Sequence, residues 1–440
     1  MKSSLLFKEL IKRRTNFMSM IGENSIAIIP NHKQQVKNAD IYFPFRSNSD
    51  FYYLTGFDEP DAIAVFVTIK NQSKYILFCH EKDQKKELWD GEIIGLLKAV
   101  KQYGADDAYP ISDIEDILPA LLENKMRIVY NLGSHELIDN RLNHWLNLIK
   151  EQSRFGVFAP KETTSCDIYL HEMRLFKSRY EINQIKRAIT ATAKAHIRAM
   201  KNIKAGMMEY QLEAELNYEF NKAGVKLPAY PSIVAGGQNA CTLHYTDNKH
   251  KLKEGDLVLI DAGGEYNYYA ADVTRTFPVN GIFSKEQKDI YQIVLQAQTA
   301  VIRQIKPGQK WDDMHQVAVQ VITEGLVKLG ILSGKVENLI AQEKYKQYFM
   351  HRTSHWIGLD VHDVGDYKIS DNRWRILEPN MVLTVEPGIY ISHTAKANKK
   401  YHGIGIRIED NVLVTTKGCE VLTNKIPRTI VDIEKTMAKK

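Results

Sequence analysis

The sequence predicts an α+β protein of two domains, a smaller N-terminal α/β domain over residues 1–172 and a larger C-terminal domain over residues 173–440. Three observations carry this expectation. At 440 residues the chain is too long for one ordinary core. Its first part mixes strand-like and helix-like runs. Its second part passes twice through the order helix, helix, strands, and each pass opens on a serine followed three residues later by Glu or Gln, the signature of a capped helix start.

In the first part, residues 62–70 (AIAVFVTIK) and 74–80 (KYILFCH) are β-rich runs on either side of Asn71-Gln72-Ser73, and together they read as a hairpin. Helical patterns cover residues 92–103 and 142–151, with a strand-like run at 126–130 between them. Residues 159–166 (APKETTSC) are polar and contain a proline, the composition expected near a domain boundary. In the second part, Ser178 and Glu181 precede Ile182, Ile185, Ile189 and Ala193 at helical spacing. A second helix is expected over 208–222, stopped by Gly224, followed by strands at 256–262 (DLVLIDA) and 272–279 (DVTRTFPV). Ser284 and Gln287 then cap a helix that ends near Pro307-Gly308, residues 312–329 form the next, and more strands follow. The order repeats without a clear residue-level repeat.

Composition narrows the function classes. The hydrophobic share of 44% and charged share of 25% are those of a soluble globular protein. The net charge of +6 is spread along the chain apart from small clusters such as Lys85-Lys86 and Lys439-Lys440. Without a basic stripe interleaved with aromatics, nucleic acid is not the expected partner. Cys79, Cys166, Cys241 and Cys419 are far apart with no CxxC spacing, which argues against a disulfide framework and against a thiolate zinc site. The first residues, MKSSLLFKELIKRRTNF, lack the apolar stretch of a signal peptide, and no run of about 18 apolar residues occurs. A cytoplasmic protein with no membrane partner is expected.

The chemistry concentrates in the second part. Asp261 ends one apolar strand and Asp272 begins the next, so a turn centred on Tyr266-Asn267 would make them cross-strand neighbours about 5 Å apart, whereas one centred on Gly263-Gly264 would separate them. Both also fit an ordinary turn role. The segment HRTSHWIGLDVHD places His351, His355 and His362 within twelve residues. Histidine suits metal binding and proton transfer. The zinc-protease pattern HExxH is not met, because Arg352 stands where its glutamate would be. Glu386 interrupts an apolar run just before Pro387-Gly388, and such a carboxylate needs a partner. In GIGIRIEDNVLV, strand alternation puts Ile404, Ile406 and Ile408 on one face and Gly405, Arg407 and Glu409 on the other. A solvated Arg407–Glu409 ion pair is one reading of that face. The other groups Asp261, Asp272, His355, Glu386 and Glu409 into an oxygen-rich set suited to a pair of hard divalent ions such as manganese.

The second domain resembles the pita-bread metallopeptidases, and among them the aminopeptidase P (Xaa-Pro aminopeptidase) family. The resemblance covers roughly residues 172–425 and rests on five segments in order: CTLHYTDN (241–248), IDAGGEYNYYAADVTRTFPVNG (260–281), HRTSHWIGLDVHDVG (351–365), ILEPNMVLTVEPGIY (376–390) and GIGIRIEDNVLV (403–414). It implies a duplicated helix-helix-strand fold that releases the first residue of peptides carrying proline second. It implies two divalent ions, manganese first with zinc or cobalt as alternatives, held by Asp261, Asp272, His355, Glu386 and Glu409, with Asp272 and Glu409 shared between them. Glu386 would also move the proton, His362 would stabilise the tetrahedral intermediate, and His244, His351 and Tyr390 would face the substrate. Arg407 matches the arginine that orients the shell near Glu409.

The first domain is similar to the smaller domain of the same family through NSDFYYLTGFDEPDA (48–62) and LWDGEIIG (88–95). By that resemblance Trp89 covers the site, often from a neighbouring subunit, and the assembly is a homodimer or homotetramer. Residues 366–375 (DYKISDNRWR) depart from the family as a longer polar loop near the expected proline pocket. Prolidases, which cleave Xaa-Pro dipeptides, share a similar metal set, but the wording of the segments and the N-terminal domain favour aminopeptidase P. A methionine aminopeptidase would leave that domain unexplained. Retention of all five ligands speaks against a metal-free creatinase-type enzyme or a pita-bread binding protein.

Overall fold

A computed structural model describes residues 4–70 and 72–438, so Met1, Lys2, Ser3, Asn71, Lys439 and Lys440 lie outside the described residues. The chain divides into two compact units, Met1–Met173 and Arg174–Lys440.

The first unit is built on a six-stranded sheet. At its centre lies Ser25–Pro30, antiparallel to Ile63–Ile69 and parallel to Arg127–Val129. Its four apolar residues, Ile26 to Ile29, are all buried, as expected of a strand covered on both faces. Neither this strand nor the long helix Ser4–Ile21 is evident from periodicity alone. The expected hairpin forms between Ile63–Ile69 and Gln72–Cys79, but Ile69 pairs with Gln72. Gln72 and Ser73 therefore extend the strand instead of forming the turn. The helix expected from residue 92 starts at Gly95, itself at a φ of 70°, after Gly91 at 93°. The one expected from 142 starts earlier, at Glu136, because the His135 ring caps it by accepting from the Ile138 amide. His135 is not among the residues that usually mark a helix start. All four cysteines are free, and Cys79 and Cys166 are buried.

The second unit contains the duplicated order. Arg179–Asn202 carries the Ser178/Glu181 capping box, and Ile185, Ile189 and Ala193 are buried along it. It is followed by Glu209–Lys222 and by a three-stranded sheet of Thr274–Pro278, Leu257–Asp261 and Ile233–Gly236. Lys285–Gln304, with the Ser284/Gln287 capping box, and Trp311–Lys328 open the second pass. A sheet of Val382–Val385, Asp410–Val414 and Cys419–Val421 completes it, beside the pair Gly388–Ile391 and Ile404–Arg407. The helices pack their apolar faces onto these sheets in one continuous core.

A buried ion pair joins the two passes. Arg275, from the first sheet, is fully buried and donates to Asp410 of the second at 2.7 Å and to the Glu409 carbonyl at 2.6 Å. Asp410 also accepts from Gln298, Thr423 and Arg428. With every lone pair engaged, this carboxylate is tolerated in the core.

Two buried histidines make stability depend on pH. Burial, the largest cause, lowers the pKa of His196 and of His315 to about 4. Unfolding would return each to about 6.5. Their neutral forms are favoured in the fold, so stability is constant above pH 6.5 and is lost as the pH falls from 6.5 toward 4. Each accounts for about 2 kcal/mol of loss at pH 5. Chemical denaturation at pH 7 and pH 5 is expected to show this loss, and His196→Gln, though less stable at pH 7, should lose less of its remaining stability on acidification. An equal acid loss in the variant would remove His196 from the account.

Candidate metal centre

The two sheets meet where Thr274 and Glu409 face each other: the Glu409 amide donates to the Thr274 carbonyl at 3.1 Å, and the Thr274 hydroxyl donates to the Glu409 carboxylate at 2.8 Å. Asp261 pairs across the strands with Thr274 and not with Asp272. The connecting hairpin turns at Asn267-Tyr268, both with positive φ, one residue beyond the centre the sequence suggested, so Asp272 falls outside the strand. It reaches the same place by other means. The Tyr230 hydroxyl lies 2.7 Å from Asp261 and 2.5 Å from Asp272, and Asn411 holds the Asp272 backbone through both its side-chain oxygen and nitrogen.

His355 and Glu386 arrive from the second pass. The His355 amide donates to the Thr384 hydroxyl and its carbonyl accepts from the Thr384 amide, which ties the segment to the strand that ends at Glu386. His355 Nε2 then lies 3.3 Å from Asp272, 3.6 Å from Glu386 and 3.9 Å from Glu409. Its Nδ1 lies 2.9 Å from the Trp356 carbonyl. With Nδ1 donating there, Nε2 either carries a second proton toward the carboxylates or offers a lone pair to a cation.

Asp261, Asp272, Glu386 and Glu409 thus share one buried pocket. Burial pushes the Glu409 carboxyl well above its usual range, and Asp272 and Glu386 add to this. Glu386 is raised to about 7 by burial. Burial also raises Asp261, against the opposing pull of Arg407. Asp272 goes the other way: burial would raise it, but the His355 contact brings it below its ordinary value. For His355 burial would lower the pKa, yet Asp272 and Glu386 lift it to about 9. Four carboxylates face one guanidinium and at most one imidazolium, so at least two negative charges remain uncompensated when all four are ionised. The ligand atoms of Asp272, His355 and Glu409 lie within 4.8 Å of one another. A donor set of carboxylates and one imidazole fits divalent cations, and their charge would relieve the crowding.

Arg407 and Glu409 are buried, so the solvated ion pair does not form. The strand Ile404–Arg407 ends between them. Arg407 turns instead to Asp261, at 2.6 Å, and donates to the Tyr390 and Thr274 hydroxyls, each at 3.0 Å. The Tyr390 hydroxyl lies 2.9 Å from His351 Nε2. Burial and then Arg407 lower His351 to about 3, so its ring is neutral. The His362 ring packs edge-on against His355 at 4.4 Å between centroids, and its pKa is lowered by burial and by His355.

These groups open onto a cavity of about 600 Å³ that His244, His351, Arg352, Ser354 and His362 also line. Part of its lining is aromatic. Trp311, Tyr367 and Trp374 line it, with Trp311 and Tyr367 centroids 4.8 Å apart. The polar stretch 366–375 forms a small hairpin, Lys368–Ser370 against Arg373–Trp374, which carries two of these rings. Of the residues marked in the sequence, all but Trp89 belong to this unit. Trp89 lies in the first unit on the short helix Gln84–Asp90 and is 85% exposed. Tyr230, Trp311, Tyr367 and Trp374 escape sequence reasoning. Only the unusual polarity of 366–375 signals any of them.

A model described as metallopeptidase family M24 matches residues 183–416, and one described as aminopeptidase P, N-terminal domain, matches residues 10–130. A Xaa-Pro aminopeptidase of Escherichia coli (strain K12) is 43% identical over 437 residues, covering 99% of this chain and 98% of that protein. The structure of Pseudomonas aeruginosa aminopeptidase PepP superposes with a TM-score of 0.96 at 50% identity, covering 98% of each chain. A zinc-substituted E. coli aminopeptidase P in complex with product superposes with a TM-score of 0.95 at 42% identity, again over 98% of each chain. With a family model over more than half of its length and a relative of this identity over nearly all of it, the chain belongs to metallopeptidase family M24.

Proposed function

We propose that this protein is a Xaa-Pro aminopeptidase, a metal-dependent hydrolase that releases the first residue of peptides whose second residue is proline. One observation carries the reading above the others: a cluster of four carboxylates and an imidazole opens onto a cavity lined in part by aromatic rings, in a chain that matches Xaa-Pro aminopeptidases from end to end. The cluster suits peptide hydrolysis. The aromatic rings suit the flat apolar ring of proline.

Asp261, Asp272, His355, Glu386 and Glu409 would hold two divalent ions, with Asp272 and Glu409 shared, and manganese is the expected metal with zinc or cobalt as substitutes. When bound, such ions polarise a carbonyl and make water a nucleophile near neutral pH. The remaining steps belong to the chain. Glu386, whose carboxyl is already raised by burial, takes the proton of the attacking water and returns it to the proline nitrogen. His362 hydrogen-bonds the developing oxyanion, an interaction type that commonly contributes about 3 kcal/mol. His244 and neutral His351 face the peptide, with Tyr390 fixing His351. Arg407 holds the Asp261 carboxyl at 2.6 Å and opposes the burial that raises its pKa.

Residues 1–172 form an N-terminal domain whose Trp89 covers the cavity of a neighbouring subunit, in a homodimer or homotetramer. The high exposure of this tryptophan supports a partner for it. Among the described residues, no helix is long and apolar enough to cross a membrane. Four unpaired cysteines support a reducing compartment, the cytoplasm.

Metal-stripped protein incubated with Ala-Pro-Ala, Ala-Ala-Ala and Ala-Pro, with and without manganese, is expected to release alanine and Pro-Ala from the first peptide alone and only with metal. Cleavage of Ala-Pro alone, read by mass spectrometry, would identify a prolidase instead. Glu386→Gln and His355→Ala are each expected to lose at least about a hundredfold in kcat while keeping the wild-type circular dichroism spectrum. Full activity in either would sink the site assignment. Arg407→Met leaves the Asp261 carboxylate buried without its partner, so urea unfolding of the metal-free protein should show a loss of about 3 kcal/mol. No change there would mean that Asp261 is protonated in the fold.

A further inference from the structure

A second set of buried charges lies behind the site, and the reaction as described does not use it. Arg174, Lys177 and Asp363 are 2%, 2% and 5% exposed. The Asp363 carboxylate accepts from Arg174 at 2.5 Å and from Lys177 at 2.9 Å, and Arg174 also donates to Asp360 at 2.7 Å. Burial would raise the Asp363 pKa, but Lys177 and Arg174 hold it below its ordinary value. Replacing such a buried set with apolar side chains is often neutral or stabilising, so stability alone is a weak reason for it.

Its position supplies a better one. Asp363 immediately follows His362 and closes the turn that begins at Trp356, through its amide to the Trp356 carbonyl at 3.0 Å. The start of the turn is fixed by Ile357 on the Val382 carbonyl and by the Gly358 carbonyl accepting from Ala270. Gly358 has no room for a side chain: a Cβ there would collide with the Asp363 carboxylate and lie 2.9 Å from Lys177 Cε. Among the described residues the His362 ring has no hydrogen-bond partner, only its edge contact with His355. The backbone must therefore place it, and Asp363 anchors that backbone from below.

We propose that Arg174, Lys177, Asp360 and Asp363 are positioning residues for His362, holding its ring where the oxyanion develops. The inference rests on the aminopeptidase reading and on the role given there to His362. A misplacement of about 1 Å costs roughly a hundredfold in such sites. Lys177→Met in the metal-loaded full chain is expected to lower kcat on Ala-Pro-Ala about ten- to a hundredfold with KM within about twofold, because the ground-state contacts survive. Lys177→Arg should recover much of the loss, and metal content should be unchanged.

The deciding measurement is the double variant. In a His362→Ala background Lys177→Met should cost little further, since the group it positions is already absent. Losses that multiply, a kcat unaffected by Lys177→Met, or a loss that tracks metal content would each overturn the positioning role. If Lys177→Met does not fold, Asp360→Asn carries the same cycle, because Asp363 keeps both its cations. A wild-type protein that leaves Ala-Pro-Ala uncut overturns both readings; one that cuts it while the losses multiply overturns the positioning role alone.

Discussion

Four carboxylates confined in one buried pocket repel one another, and much of the second unit is arranged to hold them there. Asp261 is drawn to Arg407, Asp272 to His355, and the Tyr230 hydroxyl bridges the two aspartates. Glu409 rests on the Thr274 hydroxyl. These partners come from both passes of the duplicated order, so the site exists only when the two sheets meet. The Arg275–Asp410 pair secures that meeting one residue away from Glu409, with no polar atom of the Asp410 carboxylate left to water. A cluster that is strained without cations and relaxed with them couples metal binding to the stability of the fold.

Environment also divides the histidines. His355 sits among carboxylates and is lifted to about 9, while His351, beside Arg407, falls to about 3. His362 is lowered by burial and by the charge of His355. One short segment therefore carries a nitrogen drawn to positive charge and two neutral rings fit for hydrogen bonding. A chain of contacts from Asp261 through Arg407 and Tyr390 to His351 joins the carboxylates to the histidines that also line the cavity. A change at Tyr390 would be felt at both.

Legibility followed the range of the interactions. Both capping boxes of the second unit were readable because a cap is local, made by residues three apart. His355, Glu386 and Glu409 stood out as polar residues in apolar or histidine-rich runs, where burial demands a partner. The hairpin between Asp261 and Asp272 was misplaced by a residue because positive φ at Asn267 and Tyr268 is chosen by the packing of the loop. Tyr230 carried no local sign, since its partners lie 31 and 42 residues away. The central strand Ser25–Pro30 was missed for a related reason: a short apolar run does not reveal whether it will be covered on both faces.

By itself, then, the sequence determined the two-part organisation, the repeated helix-helix-strand order, the reduced cysteines and the residue types of a carboxylate and imidazole site. These depend on composition and on spacing within a turn or a strand. Only the tertiary structure decided that Arg407 would leave Glu409 for Asp261, that residues 366–375 would bring Tyr367 and Trp374 to the cavity wall, and that Asp363 would turn away from the site onto Arg174 and Lys177. Each is a choice among several possible partners for a charge or a ring. Such choices are made by which groups burial brings within a few ångströms, and sequence distance does not encode that.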